Sequence, residues 1–116
     1  MGIFVLNKED NTYAATIDGV EFVCEEATPE FERIAPALAQ AYQEKLPRLI
    51  ESMMDDVTEM FGFITADELK DALGTPQVDL DRDVVTYFEH TLDDGNIIEV
   101  EFGGMFDEIY EVSIDG

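Results

Sequence analysis

The sequence predicts an α+β fold: an antiparallel sheet, made of an N-terminal hairpin and a C-terminal meander, packed on one long kinked helix and one short helix. Two observations lead to this prediction. Residues 3–25 and 78–115 contain short apolar or alternating runs separated by turn residues, which is typical of strands. Between them, apolar residues recur every three or four positions, which is typical of a helix. We expect the 116 residues to form a single domain, residues 1–116.

The first strands follow from short apolar runs and one turn signal. Residues 3–6 are apolar and predict a first strand. Residues 12–17 and 20–25 flank Asp18-Gly19, a dipeptide favoured in two-residue type I′ turns. These two segments therefore predict a β-hairpin.

The long helix has a clear beginning and a clear end. Thr28 supplies an N-cap oxygen and Pro29 suits the first helical position. Pro47 lies within the helical pattern and predicts a kink in the helix. Gly62 suits the position just after the last residue of a helix and predicts the end of this one. The apolar stripe expected to face the core consists of Leu38, Tyr42, Leu46, Leu49, Met53, Val57 and Met60.

The short helix carries a stronger start signal. Thr65 and Glu68 have the spacing of a capping box, and Ile64 and Leu69 that of a hydrophobic staple. Gly74 is expected to close this helix after two turns.

The remaining chain predicts strands. Residues 78–80 suggest a short edge strand, residues 84–92 and 96–102 a hairpin, and residues 109–115 a last strand. A three-residue hairpin loop with Gly95 in a left-handed bulge would pair Phe88 with Val100, and Glu89 with Glu99. This register would make one face of the sheet apolar and the other acidic.

Charge is the most informative feature for function. The chain has 28 Asp and Glu but six Lys and Arg, a net charge of −22. A domain of this size is about 35 Å across, and the same length of DNA duplex carries about 20 charges. Such a protein repels nucleic acid and anionic lipid, so we expect a basic protein as its partner.

The acid is concentrated near the C-terminus. Residues 83–116 hold ten carboxylates and no Lys or Arg, whereas residues 33–70 hold seven carboxylates and four basic residues. A solvated face that prevents edge-to-edge aggregation would also explain this distribution. If the charge has a function, the expected partner-binding residues are Glu89, Asp93, Asp94, Glu99, Glu101, Asp107, Glu108, Glu111 and Asp115.

No motif predicts catalysis, a cofactor or a metal. Asp79, Asp81 and Asp83 are spaced like the start of a calcium loop, but Val84 and His90 stand where that loop needs Gly and Glu. His90 has no Ser-His-Asp or HExxH partners, and its place in an apolar strand predicts a core residue. We therefore expect a protein that is not an enzyme and has no catalytic, cofactor-binding or metal-binding residues.

The sequence also favours a cytoplasmic location. The first residues have no positively charged region of a signal peptide. No apolar run approaches the roughly 20 residues that span a bilayer. Cys24 is the single cysteine, so no disulfide framework is expected.

The acidic C-terminal run, residues 98–116, together with the size and charge of the chain, resembles two groups of proteins. The DNA-mimic proteins of phage and bacteria occupy the nucleic-acid site of a basic protein, such as a histone-like protein. The small acidic immunity proteins neutralise nuclease toxins. The first resemblance implies a protein that blocks DNA binding by its partner. We expect a monomer or small homo-oligomer.

The second resemblance leaves an alternative open. An immunity protein or antitoxin would bind one cognate basic nuclease, with Tyr87, Tyr110 or Phe106 as anchors. A third interpretation is a domain adapted to high internal salt.

Overall fold

The computed structural model describes residues 4–92 and 96–115, and in these the chain forms one sheet and two helices. The α+β prediction is confirmed. Seven described strands lie in the sheet in chain order, from β1 at one edge to β7 at the other. The elements are β1 (Val5–Asn7), β2 (Thr12–Ile17), β3 (Val20–Cys24), α1 (Pro29–Phe61), α2 (Ala66–Ala72), β4 (Gln77–Asp79), β5 (Val84–Tyr87), β6 (Ile97–Gly103) and β7 (Glu108–Asp115).

The N-terminal hairpin is confirmed. Strands β2 and β3 pair antiparallel, with Ile17 opposite Val20. Asp18 and Gly19 have φ angles of 49° and 81°, and positive φ at both central residues is what a type I′ turn requires. Strand β1 pairs with β2 and begins at Val5; residues 1–3 lie outside the described residues.

Helix α1 begins and ends where the sequence predicts. The Thr28 side chain accepts a hydrogen bond from the Phe31 N–H at 3.1 Å, and Pro29 follows the cap. The helix continues through Pro36 and Pro47, each of which lacks the N–H of one helical hydrogen bond. It stops at Gly62, where φ is 95°.

The apolar stripe of α1 forms much of the core. Most predicted stripe residues are buried beneath the sheet, and Leu46 is half-buried. Met60 is the exception, because its side chain is 52% exposed. It lies in the last turn of the helix beside an open groove at β7, so the prediction that it fills the core is wrong.

The capping box of α2 is confirmed in both directions. Thr65 Oγ1 accepts from the Glu68 N–H at 3.2 Å, and Glu68 Oε1 accepts from the Thr65 N–H at 3.1 Å. Leu69 is fully buried and Ile64 packs against the same core. This short helix therefore has a local start signal and one anchoring apolar residue.

Strand β4 is central, so the prediction of an edge strand is wrong. It lies between β3, to which it is parallel, and β5, to which it is antiparallel. The two helices connect β3 to β4 and return the chain in the direction of β3, which permits parallel pairing. Val78 is fully buried at this central position.

The predicted register of β5 and β6 is also wrong. Val85 pairs with Val100 and Tyr87 with Ile98, and β5 ends at Tyr87 rather than at residue 92. Phe88, expected opposite Val100, is exposed.

The change of register has a tertiary cause. After Tyr87 the chain pairs with the segment that follows α2, through hydrogen bonds from the Gly74 N–H to the Glu89 carbonyl at 2.8 Å and from the Thr91 N–H to the Ala72 carbonyl at 3.0 Å. A Cβ at Gly74 would lie 2.6 Å from the Glu89 oxygen, so this contact requires glycine.

A buried hydrogen bond joins α1 to β5. The hydroxyl groups of Tyr42 and Tyr87 are 2.6 Å apart. Burial is the main cause that raises the pKa of each phenol above its ordinary value, so both groups stay neutral at physiological pH.

We expect Tyr42→Phe or Tyr87→Phe alone to lower the free energy of unfolding by about 1–3 kcal/mol, because the remaining hydroxyl loses its partner in the core. The double variant should lose less than the sum of the two single losses. Urea unfolding of the four proteins measures this coupling, and strictly additive losses would contradict it.

Candidate acidic binding surface

The sheet has one covered face and one open face. Helix α1 packs against the inner face, where Phe22, Val85 and Val100 lie in the core. Residues that alternate with these point to the outer face. Carboxylates gather on its β4–β7 half, and we call this set the acidic face: Asp79, Asp83, Glu99, Glu101, Glu108 and Glu111.

Three glutamates form the centre of the acidic face. Glu99 and Glu101 are alternate residues of β6, and Glu101 lies directly opposite Glu111 of β7. All three line one shallow cleft of about 130 Å³. Like charges opposite each other destabilise a strand pair, so this arrangement has an energetic cost.

One basic side chain reaches this centre among the described residues. Arg82 lies in the same cleft, with its Nη2 atom 3.7 Å from Glu99 Oε2. The Arg82 side chain is 65% exposed, and an exposed pair at this distance contributes little. The acidic face therefore keeps most of its negative charge.

A β-bulge adds an aromatic ring to the acidic face. The register shifts between Glu101 and Phe102, so Tyr110 is an extra residue on β7 beside Glu111. The Tyr110 hydroxyl donates to Glu108 Oε2 at 2.5 Å, and this hydrogen bond is the main cause that raises the pKa of Tyr110. The ring is 60% exposed and lies against Gly103, where a side chain would clash with it.

The turn between β4 and β5 holds carboxylates near the same face. Asp79 Oδ1 accepts hydrogen bonds from the N–H groups of Asp81 at 3.0 Å and Arg82 at 3.3 Å. Asp83 has a left-handed φ of 54°. Partial burial raises the pKa of Asp83, and the nearby Asp79 charge adds to the shift.

The aspartates spaced like a calcium loop and the single cysteine form neither a metal-binding nor a reactive site among the described residues. Residues 4–92 and 96–115 contain no group of three or more His, Cys, Asp or Glu side chains arranged to hold a metal ion. Asp81 accepts the Glu25 N–H at 2.8 Å. Burial raises the pKa of the Cys24 thiol to about 11, which keeps it protonated and unreactive.

The sequence predicts His90 to be a core residue of an apolar strand, and this prediction is wrong. It is half-buried in the connection after β5, where its Nε2 atom lies 2.7 Å from the Asn96 carbonyl oxygen. Its Nδ1 atom accepts from the Leu92 N–H at 3.2 Å, so Nε2 is the donor to Asn96. The ring therefore contacts the backbone of both Leu92 and Asn96.

The structure brings four of the predicted partner-binding residues together: Glu99, Glu101, Glu108 and Glu111. Glu89 does not face Glu99; it lies in the connection after β5, beside a cleft that Glu21 and Gln77 also line. The cause is that β5 ends at Tyr87, so Glu89 has no place in the ladder with β6.

Asp107 does not belong to the acidic face, because its carboxylate is paired with a basic side chain of the helix. It lies in the turn between β6 and β7 and forms an ion pair with Lys45 of α1. This hydrogen-bonded pair is the main cause that lowers the pKa of Asp107. Asp93 and Asp94 lie outside the described residues, and Asp115 lies opposite Ile97 at the end of β7.

Sequence reasoning missed Asp79 and Asp83 as members of the acidic face. Their spacing resembles the start of a calcium loop, but alternation from the buried Val78 is the signal that places Asp79 on the outer face.

Two of the three predicted aromatic anchors are in the core. Tyr87 is fully buried, and Phe106 is 1% exposed and stacks on Phe102 with ring centroids 4.1 Å apart. Tyr110 remains accessible. Phe88 and Phe63 are also exposed, the latter at 90%.

Comparisons of the chain with protein-family models, with curated proteins and with solved structures found no match in any of the three. Neither helix in the described part of the chain has the length and apolar character needed to cross a membrane.

We expect Asp83→Asn to raise the free energy of unfolding at pH 7 by up to about 0.5 kcal/mol, because a partly desolvated charge beside Asp79 is removed. Asn also tolerates the left-handed φ.

The sign of the pH dependence follows from the raised pKa. The charged Asp83 destabilises the folded state above its folded pKa, and this effect disappears below the unfolded pKa of about 3.9. The advantage of Asp83→Asn should therefore shrink as the pH falls through this window. Thermal unfolding of both proteins from pH 7 to pH 3 measures it, and a constant or growing advantage would contradict the argument.

Proposed function

We propose that this protein is a DNA mimic: it binds the basic nucleic-acid-binding surface of a partner protein, such as a histone-like protein, and blocks DNA binding there. In this proposal it works in the cytoplasm without catalysis or a cofactor. The acidic face supplies the carboxylates that replace phosphates.

The observation that carries the proposal is the little-compensated charge of the acidic face on a molecule of high net charge. The longest dimension of the protein is 46 Å. A duplex of that length carries about 27 charges, against −22 for the whole chain. The two amounts are close enough for one groove of Lys and Arg to accept either molecule.

To mimic DNA, the protein needs carboxylates spaced about as closely as the phosphates of a DNA strand. Alternate residues such as Glu99 and Glu101 are about 7 Å apart along β6, whereas one DNA strand has a phosphate every 3.4 Å of axis, roughly twice the density. The carboxylates of one β-strand alone therefore have too low a charge density to match a DNA strand. Glu111 on β7, about 5 Å away across the ladder, raises the density toward that of DNA.

The test is displacement of a labelled DNA duplex from a purified histone-like protein, followed by fluorescence anisotropy over a range of salt concentrations. We expect displacement by the wild-type protein, weakening steeply as salt rises. The variant Glu99→Gln/Glu101→Gln/Glu111→Gln should need about tenfold more protein for half-displacement.

The matched control is Glu44→Gln/Glu51→Gln/Asp55→Asn, which removes the same charge from the exposed side of α1. It should change half-displacement less than about threefold. Equal losses in both variants would show that total charge, and not the acidic face, governs binding. Failure to displace DNA at low salt from this or any other basic DNA-binding protein of the host lysate would rule out the proposal.

A second candidate is an immunity protein that binds one cognate nuclease. The observation that favours it is Tyr110, an exposed aromatic ring held by Glu108 in the middle of carboxylates, since aromatic side chains dominate such interfaces. For this candidate, Tyr110→Ala should weaken the complex more than any single Glu→Gln change, and the complex should survive high salt. Affinity capture from the native lysate with a salt gradient distinguishes the two candidates.

A further inference from the structure

Of the two edges of the sheet, the one formed by β7 is long and carries acid, and we call it the free edge. Strand β7 has eight residues, Glu108–Asp115, and is the last strand in the order; within the described residues it pairs with β6 alone. An edge strand leaves alternate backbone N–H and C=O groups available for another strand. Glu108 and Glu111 are exposed along this edge.

An open groove lies between β7 and α1. Lys45 contacts Asp107 just before the start of β7, and Met60 lies beside Ile114 near its end. Fifteen helical residues and seven strand residues both cover about 23 Å, so the helix and the strand run side by side in the same direction. The groove has a volume of about 340 Å³ and is lined by Asp56, Glu59, Met60 and Ile114.

The groove lies between the flank of α1 that faces β7 and the inner side of β7. Asp56 follows Lys45 by eleven residues, about three helical turns, so both lie on the side of α1 that faces β7. Phe61 lies on the other flank of the helix, where its ring is 6.1 Å from that of His90. A strand placed beside β7 would therefore have the groove on its inner side and Glu111 on its outer side.

We propose that an extended basic segment of the partner binds along β7 as an added strand of the sheet. This inference rests on the proposed function and names how its partner is held. On the inner side, an Arg or Lys of the segment lays its methylene stem on Met60 and Ile114 and brings its cation to Asp56 and Glu59. On the outer side, alternate Arg or Lys side chains meet Glu108 and Glu111.

Charge selects this occupant over a second copy of the chain. Pairing two β7 edges would bring the carboxylates of one copy against those of the other, and each copy carries −22. A basic strand has the opposite effect, since it relieves repulsion between carboxylates such as Glu101 and Glu111. The same side chains thus discourage self-association and favour a basic partner.

The probe is a synthetic eight-residue peptide of the sequence Arg-Arg-Thr-Thr-Arg-Arg-Thr-Thr, which as a strand carries two Arg on each face. Two control peptides have the same sequence and charge but carry N-methyl groups on the backbone at either the odd or the even positions. We expect one control to bind at least about tenfold more weakly than the parent peptide, since its donors to β7 are removed. Binding of the parent should also slow amide hydrogen exchange in β7 more than in β2.

Variants of the groove test the inner side. Asp56→Asn/Glu59→Gln should weaken binding of the parent peptide about tenfold, whereas Glu51→Gln/Asp55→Asn, with the same charge change on α1, should weaken it less than about threefold. Equal loss in the two variants would overturn the role assigned to the groove.

The outcomes separate this inference from the proposed function. Equal binding of all three peptides, or no added protection of β7, would overturn the added-strand mode and leave DNA displacement unaffected. Selective binding of the parent peptide by a protein that displaces no DNA would support the added strand and overturn the DNA mimic.

Discussion

The hydrogen bond between Tyr42 and Tyr87 is the constraint on which the position of the acidic face depends. A buried hydroxyl without a partner costs about 1–3 kcal/mol, so α1 and β5 are held with both phenols turned toward each other. Because side chains alternate along a strand, an inward Tyr87 places Thr86 on the outer face. Glu99 pairs with Thr86 and therefore points outward as well. The inward Tyr87 and the full burial of Ile98 and Val100 thus place the glutamates of β6 on the same outer side.

The turn between β6 and β7 holds the free edge in place. Phe106 has a left-handed φ of 63° and is buried, where it stacks on Phe102 and meets the ring of Tyr42 edge-on at 5.8 Å. The next residue, Asp107, pairs with Lys45 of α1. These contacts attach the beginning of β7 to the helix, while Met60 at the other end leaves a groove open. Phe106 and Asp107, which the sequence predicted as partner contacts, thus support the strand to which we assign the partner.

The folded protein keeps repelling carboxylates close together, and a basic partner would neutralise this repulsion. Glu101 faces Glu111 across the ladder. Burial raises the pKa of Asp83, and the charge of Asp79 raises it further. The apolar core offsets this cost in the free protein. A ligand that binds the folded state adds stability in proportion to the logarithm of its concentration over Kd, so a basic partner would both bind and stabilise the chain. Salt would screen the repulsion and the attraction together.

The sequence by itself determined the features that act within a few residues: the Asp18-Gly19 turn, the cap at Thr28 and the capping box at Thr65. It also determined the excess of acid on which the proposal of a basic partner rests. The tertiary structure alone decided the central position of β4, the register of β5 with β6, and the burial of Phe106. The reason is the distance along the chain between the groups involved. Tyr42 and Tyr87 are 45 residues apart, and Lys45 and Asp107 are 62 apart. No local pattern encodes such pairs, because their energy appears only when the core is assembled.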